Sequence, residues 1–165
     1  MSGAGKSTIG QALYDRLKLK NRHLVMLDGD QVRAALAQDV GHDPKSRDAV
    51  SRRYANLCHL LDQQEIHAIC CAVTVSEDAQ ALNRERLSGY MEILLEASLD
   101  TLKSRDPKGI YERAFNGDIK NVAGVDIPFV RPVAPHLVIN NDVELKSVSG
   151  IVDDIVYKLP SSIET

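Results

Sequence analysis

The 165-residue chain has no tryptophan and only two phenylalanines, and aromatic residues make up 4% of it. Base-stacking surfaces need aromatics interleaved with basic residues. The basic excess is missing too: 20 lysines and arginines face 23 aspartates and glutamates, for a net charge of −3. A nucleic-acid partner is therefore not expected. Cysteine is scarce, and Cys58, Cys70 and Cys71 form no C-x-x-C pair. An odd number that includes two neighbours suits neither a disulfide framework nor a zinc site, so reduced, buried thiols are expected. No apolar run approaches the roughly 20 residues that span a bilayer, and the start lacks the charged-then-apolar pattern of an export signal. These absences predict a soluble, cytoplasmic protein with no membrane partner.

What is present is a regular alternation. Hydrophobic residues make up 44% of the chain, and its length suits one domain over residues 1–165. Short apolar runs at His23 to Leu27, Ile66 to Val75, Tyr90 to Leu95 and His136 to Ile139 read as strands buried on both faces of a mostly parallel sheet. Helical spacing lies between them: Ile9, Leu13 and Leu17; Val50, Tyr54, Leu57, Cys58 and Leu61; and Val148, Ile151, Val152, Ile155, Val156 and Leu159. The pattern predicts a three-layer α/β sandwich. The region of about residues 103–135 lacks a clean period and is rich in proline and glycine beyond Pro107, which predicts active-site loops or a lid.

The strongest motif opens the chain. Ser2-Gly3-Ala4-Gly5-Lys6-Ser7-Thr8 matches the end of G-x-x-x-x-G-K-[ST], a loop whose backbone N–H groups curl around phosphate oxygens at a helix N-terminus. Gly3, Ala4, Gly5, Lys6, Ser7 and Thr8 are thus candidate ATP-phosphate ligands. Lys6 adds a mobile cation, and Ser7 offers a hydroxyl to Mg²⁺. The pattern's first glycine falls one residue ahead of Met1, as does the buried strand that leads into such a loop. The first strand of a P-loop fold is thus expected to be missing from the chain, leaving sheet neighbours unpaired. A second motif, Leu27-Asp28-Gly29-Asp30, ends the first apolar run and is followed by Gln31-Val32-Arg33 opening a helix. Carboxylates at a strand's carboxyl end facing a P-loop can hold an acceptor hydroxyl and bias Mg²⁺, so Asp28 and Asp30 join Lys6 as catalytic candidates.

With these motifs on the page, the chain resembles the adenylylsulfate kinase family over nearly its whole length. GAGKST and LDGDQVR match two of that family's motifs. Asp39-Val40-Gly41, Ser46-Arg47 and Arg52-Arg53 are similar to D-L-G-F-S-x-x-D-R-x-E-N-I-R-R, Arg105 to Tyr111 to R-D-x-K-G-L-Y, and Gly124 to Phe129 to G-I-D-x-P-Y. The resemblance implies a P-loop kinase that moves the γ-phosphoryl of Mg·ATP to the ribose 3′-hydroxyl of adenylylsulfate, the step of sulfate activation. It implies that Arg33, Arg47 and Lys108 grip the anionic acceptor. Arg105 and the loop holding Gly124, Asp126 and Pro128 would lie near the ATP base. A homodimer is also implied, although no stretch of this sequence marks an interface.

Departures from the family cluster on the acceptor side. His42 and Val122 stand where the family has two phenylalanines that sandwich the acceptor's adenine. Ala49 and Val50 replace Glu-Asn, and Val73-Thr74-Val75-Ser76-Glu77 replaces I-S-P-Y-R, which is expected to put a carboxylate where an arginine would approach the substrate. Base stacking on an aromatic is worth about 1–3 kcal/mol. Losing two such faces therefore makes a different nucleotide acceptor, such as a cytidine diphosphate conjugate (cytidine diphosphoramidate) of surface-polysaccharide synthesis, the alternative to adenylylsulfate. A regulatory nucleotide-binding protein is a third class, distinguished by binding without acceptor-dependent turnover.

Overall fold

The computed structural model describes residues 1–36, 40–73, 76–106, 108–142, 147–160 and 163. In chain order the elements are α1 (Lys6–Lys18), β1 (Leu24–Asp28), α2 (Gly29–Leu36), α3 (Pro44–Asp62), β2 (His67–Cys71), α4 (Glu77–Arg86), β3 (Ile93–Glu96), α5 (Leu99–Arg105), α6 (Ile110–Phe115), β4 (Leu137–Asn140) and α7 (Val148–Lys158). Local chemistry sets several of their starts. Asp43 accepts the Ser46 N–H with Pro44 in the first turn of α3, and the Ser76, Ser98 and Ser147 hydroxyls cap α4, α5 and α7. Such caps satisfy N–H groups that the first helical turn leaves without partners.

The strands are parallel, as expected, and among the described residues they stand in two separate pairs. Among the described residues β1 pairs with β2, from Leu24 opposite His67 to Asp28 opposite Cys71, and β3 pairs separately with β4, from Ile93 opposite Leu137 to Glu96 opposite Asn140. The two ribbons are not hydrogen-bonded to each other. The apolar runs also overshoot the strands. Residues 90–92 precede β3, because the Glu92 N–H is taken by the His136 ring and its carbonyl by the His136 N–H.

Helices cover both faces of the first ribbon. A Cβ on Gly10 of α1 would run into the Cys71 sulfur and approach Met26 and Ile69, so glycine is what lets α1 lie this close to β1 and β2. From the opposite face, α3 brings Tyr54 and Val50 onto Leu27, and the Tyr54 hydroxyl donates to the Asp28 carbonyl at 3.1 Å. The largest core unites α1, α7 and the strands through Ile9, Leu13, Leu17, Leu24, Ile139, Ile151, Val152 and Ile155. This is the predicted amphipathic stripe of α7. A second cluster joins Ala4, Ala97, Leu102, Tyr111 and Val122, tying the opening loop to α5, α6 and the turn after them.

Candidate active site

The opening loop sits at the carboxyl ends of the strands because residues on those ends hold it. Gly3 (φ 72°) and Gly5 (φ 93°) adopt left-handed backbone that favours glycine, and α1 begins at Lys6 with no side-chain cap. The first N–H groups of α1 are therefore available to an anion, and the helix dipole favours one. A Cβ on Gly5 would come within 2.5 Å of the Asn141 amide nitrogen, so the loop passes hard against the end of β4. Lys6 Nζ donates to the Met1 carbonyl at 2.6 Å, and burial lowers its pKa, opposed by the charges of Cys71, Asp30 and Asp28.

Four of the predicted residues converge here. Ser7 Oγ donates to Asp28 Oδ2 at 2.5 Å. Partial burial pushes the Asp28 carboxyl up, but the Ser7 hydroxyl, the N–H groups of Asp30 and Gln31 and the Lys108 charge outweigh it and hold the pKa below the ordinary value. A hydroxyl beside an ionised carboxylate is an oxygen donor set suited to a hard divalent cation, so the pair fits Mg²⁺. Two residues on, Asp30 forms an ion pair with Lys108, which the loop before α6 delivers from the other side of the cleft.

The two arginines expected on the acceptor are engaged with the walls of the site. Arg33 donates to the carbonyls of Val40 and Gly41, at 2.9 and 3.0 Å. Arg47 donates through Nε to the His42 carbonyl at 2.8 Å and through Nη2 to the Asn121 carbonyl at 2.6 Å, clipping the His42 loop to the turn that carries Val122. Val122 is buried against Ala4, Leu102 and Tyr111, so its position carries a buried aliphatic side chain in place of a stacking ring. His42 lines the cleft beside them. Burial, then the charges of Arg33 and Arg47, lower the His42 pKa from its ordinary 6.5, with Asp30 opposing. The imidazole should accordingly titrate below 6.5 by proton NMR, and Arg47→Ala should move the midpoint upward; an unmoved midpoint would remove Arg47 from its surroundings. Because the unfolded chain takes that proton more readily, His42 withdraws stability as pH falls through this range.

The remaining predicted residues divide between the cleft and its surroundings. Gly124, Asp126 and Pro128 do not line the cleft. Asp126 instead accepts the N–H groups of Asn121 and Val122, at 2.7 and 2.6 Å, and so shapes the turn. Arg105 lines the cleft and reaches the Gly3 carbonyl at 3.5 Å, at the limit of a hydrogen bond. Glu77 lies exposed in the first turn of α4 and not in the cleft. Arg52 pairs with Asp48 and Asp78 on the outer face of α3, and Arg53 donates to the Leu36 carbonyl. Asp39, Thr74, Val75 and Pro107 lie outside the described residues.

Three residues outside the predicted ligand set organise the site: Asn141, which no motif contains, and Tyr111 and Asp106 of the Arg105 to Tyr111 string. Asn141 Nδ2 donates to the Ala4 carbonyl at 3.0 Å, and the Tyr111 hydroxyl donates to the Ser2 carbonyl at 2.9 Å. Asp106 accepts the N–H groups of Ile110, Tyr111 and Glu112, which fixes α6 relative to α5. The polar run Asn140-Asn141-Asp142 closing a strand is the one sequence signal that marks Asn141.

A P-loop, a Ser–Asp pair beneath it, a second carboxylate met by a lid lysine, and an arginine-clipped wall form one cleft. The model of the adenylylsulphate kinase family matches residues 1–140. The chain belongs to that family. Its relatives include the cytidine diphosphoramidate kinase of Campylobacter jejuni, 40% identical over 96% of this chain and 92% of the relative. The adenylyl-sulfate kinase of a Picosynechococcus species is 36% identical over 96% and 89%. Among solved structures, the Mycobacterium tuberculosis APS kinase in complex with AMPPNP and APS superposes with a TM-score of 0.85 at 26% identity, covering 96% of this kinase and 92% of that chain. Family membership makes this chain a phosphotransferase with a P-loop α/β fold.

Proposed function

We propose that this kinase transfers the γ-phosphoryl group of ATP to a ribose hydroxyl of a cytidine diphosphate conjugate of the cytidine diphosphoramidate type. The observation that carries the reading is the acceptor wall. Val122 is buried with Ala4, Ala97, Leu102 and Tyr111, and His42 offers only a small imidazole, so the two phenyl faces that the family resemblance assigns to adenine are here one aliphatic side chain and one smaller ring. The cytidine diphosphoramidate kinase at 40% identity supports the same acceptor. Adenylylsulfate is the second reading, favoured by the Arg105-Asp106 and Lys108-Gly109-Ile110-Tyr111 string and by the adenylyl-sulfate kinase relatives.

Phosphoryl transfer needs positioning and charge neutralisation more than covalent help. In this reading residues 1–165 work as one kinase domain. The free N–H groups of the loop and of early α1 bind the ATP phosphates, and Lys6 swings from the Met1 carbonyl to the β- and γ-phosphate oxygens. Ser7 and Asp28 would hold Mg²⁺, which when bound would neutralise charge on the phosphates. Asp30 accepts the acceptor hydroxyl's proton as its oxygen bonds to the γ-phosphorus and the bond to the β-phosphate oxygen breaks. Lys108 leaves Asp30 to meet the acceptor's phosphates, and Arg33 and Arg47 hold the wall against which the base rests.

ADP release from Mg·ATP tests the acceptor. Micromolar cytidine diphosphoramidate should stimulate it at least tenfold more than adenylylsulfate at the same concentration. The reverse preference would establish the second reading. No stimulation by either nucleotide would reject both.

A further inference from the structure

We infer that Cys58 and Cys70 are a redox-active thiol pair, closed to a disulfide by exchange with a small-molecule disulfide such as oxidised glutathione and reopened by a thiol reductant. Spacing along the chain marks no such pair, since 11 residues separate the two. The fold makes it. Val50 and Tyr54 of α3 pack on Leu27 and Ala72. Cys58 stands one turn beyond Tyr54 and continues that face of the helix. Cys70 is two residues before Ala72 and opposite Leu27 in the strand register, so its side chain points to the face that α3 covers. The two sulfurs are within hydrogen-bond reach of each other.

The third cysteine is held apart. Successive strand residues point to opposite faces, and Cys71 accordingly meets α1, where its sulfur leaves no room for a Cβ on Gly10 and donates to the Lys6 carbonyl at 3.3 Å. The body of β2 therefore lies between Cys71 and Cys58. Burial pushes the Cys71 thiol up to about 11. Cys58 is the reverse case, since the hydrogen bond from Cys70 holds its thiol below the ordinary value against the effect of burial. That same hydrogen bond, followed by burial, raises Cys70. Cys58 is thus the attacking sulfur and Cys70 the resolving one.

Cys70 is exposed as a residue while its sulfur lies among protein atoms against α3, and Cys58 is half-buried; both line the cleft, which is the route for a reagent. The Cys58 thiolate attacks one sulfur of oxidised glutathione, forming a mixed disulfide and expelling one glutathione thiolate. Cys70 then gives up its proton, and its sulfur displaces the second glutathione from Cys58. The two protein thiols lose two electrons and two protons, which end on two glutathione thiols. Closure brings the sulfurs to about 2.05 Å. It ties the middle of α3, the helix that carries Arg47 and Tyr54, to the strand paired with β1.

The folded protein is incubated with oxidised glutathione, its remaining thiols are blocked, and it is cleaved after Glu65, because no lysine or arginine lies between Arg53 and Arg84 to separate the pair. Mass spectrometry should show a single chain lighter by about 2 Da before blocking, the hydrogen lost in forming one disulfide. After cleavage the Cys58 and Cys70 fragments should stay joined, with Cys71 carrying the blocking group. Cys71→Ala should join in the same way, whereas Cys58→Ser and Cys70→Ser should not. The joined form should melt about 5 °C or more above the thiol form, because the bond closes a loop in the unfolded chain, and dithiothreitol should remove the gain. Fragments that separate, a stable glutathione adduct in place of the bond, a bond through Cys71 or between two copies, or a midpoint unchanged or lowered on closure would each overturn the pair.

Discussion

Lys6→Ala is expected to lower kcat/KM for phosphoryl transfer about 10³-fold, the scale on which single charge-stabilising groups act in such reactions. The fold should be nearly untouched. Lys6 is the first residue of α1, it lies on the cleft wall, and its ammonium donates to the Met1 carbonyl. Its core neighbours in sequence, Ile9 and Leu13, remain in place. The thermal midpoint should therefore stay within a few degrees while turnover collapses. Near-normal turnover in the variant would reject the phosphate role for Lys6, and a collapse of both quantities would make it a structural residue of the loop.

Asp30→Asn should lower kcat about 10²-fold, within the range for removal of a positioned base, with the KM for ATP changed less than threefold. The side chain is 73% exposed, so the isosteric amide costs little stability. Its ion pair with Lys108 would be lost as well, but exposed pairs contribute little. Asp28→Asn should behave differently. It removes the charge beside Ser7 and should weaken ATP·Mg²⁺ binding as much as turnover. Titrating both variants with Mg²⁺ separates the roles, because only the Asp28 variant should be partly rescued at high metal concentration. Equal losses of kcat and ATP binding in Asp30→Asn would move Asp30 into the metal site.

The parts of the site that can be read from sequence are those where one stretch of chain makes the chemistry. Gly3 to Thr8 carries its own backbone geometry, and Asp28 announces itself by following four apolar residues. Contacts made between distant stretches leave weaker traces. Asn141 meets Ala4 across 137 residues, and nothing in its neighbours specifies that encounter. Arg33 and Arg47 were legible as cations near an anion site but not as clips, because their acceptors are backbone carbonyls that every residue possesses. The short helices α5 and α6 escape periodicity because six or seven residues hold fewer than two turns. The divided sheet is the reverse case. Each strand's composition is that of an interior strand, while pairing depends on neighbours that composition cannot count.

Asp106 bears on how the acceptor is reached. One carboxylate closes three N–H groups of α6 immediately after α5 ends, and Tyr111 anchors the same helix to the phosphate loop. Lys108 therefore works from a fixed shoulder. In the proposed mechanism its ammonium would pass from Asp30 to a bound nucleotide by rotation about its own four-carbon stem, with α6 held still. Acceptor binding should then register as a change at the Lys108 side chain against silent amides in α6, the signature of an arm moving on a stationary body.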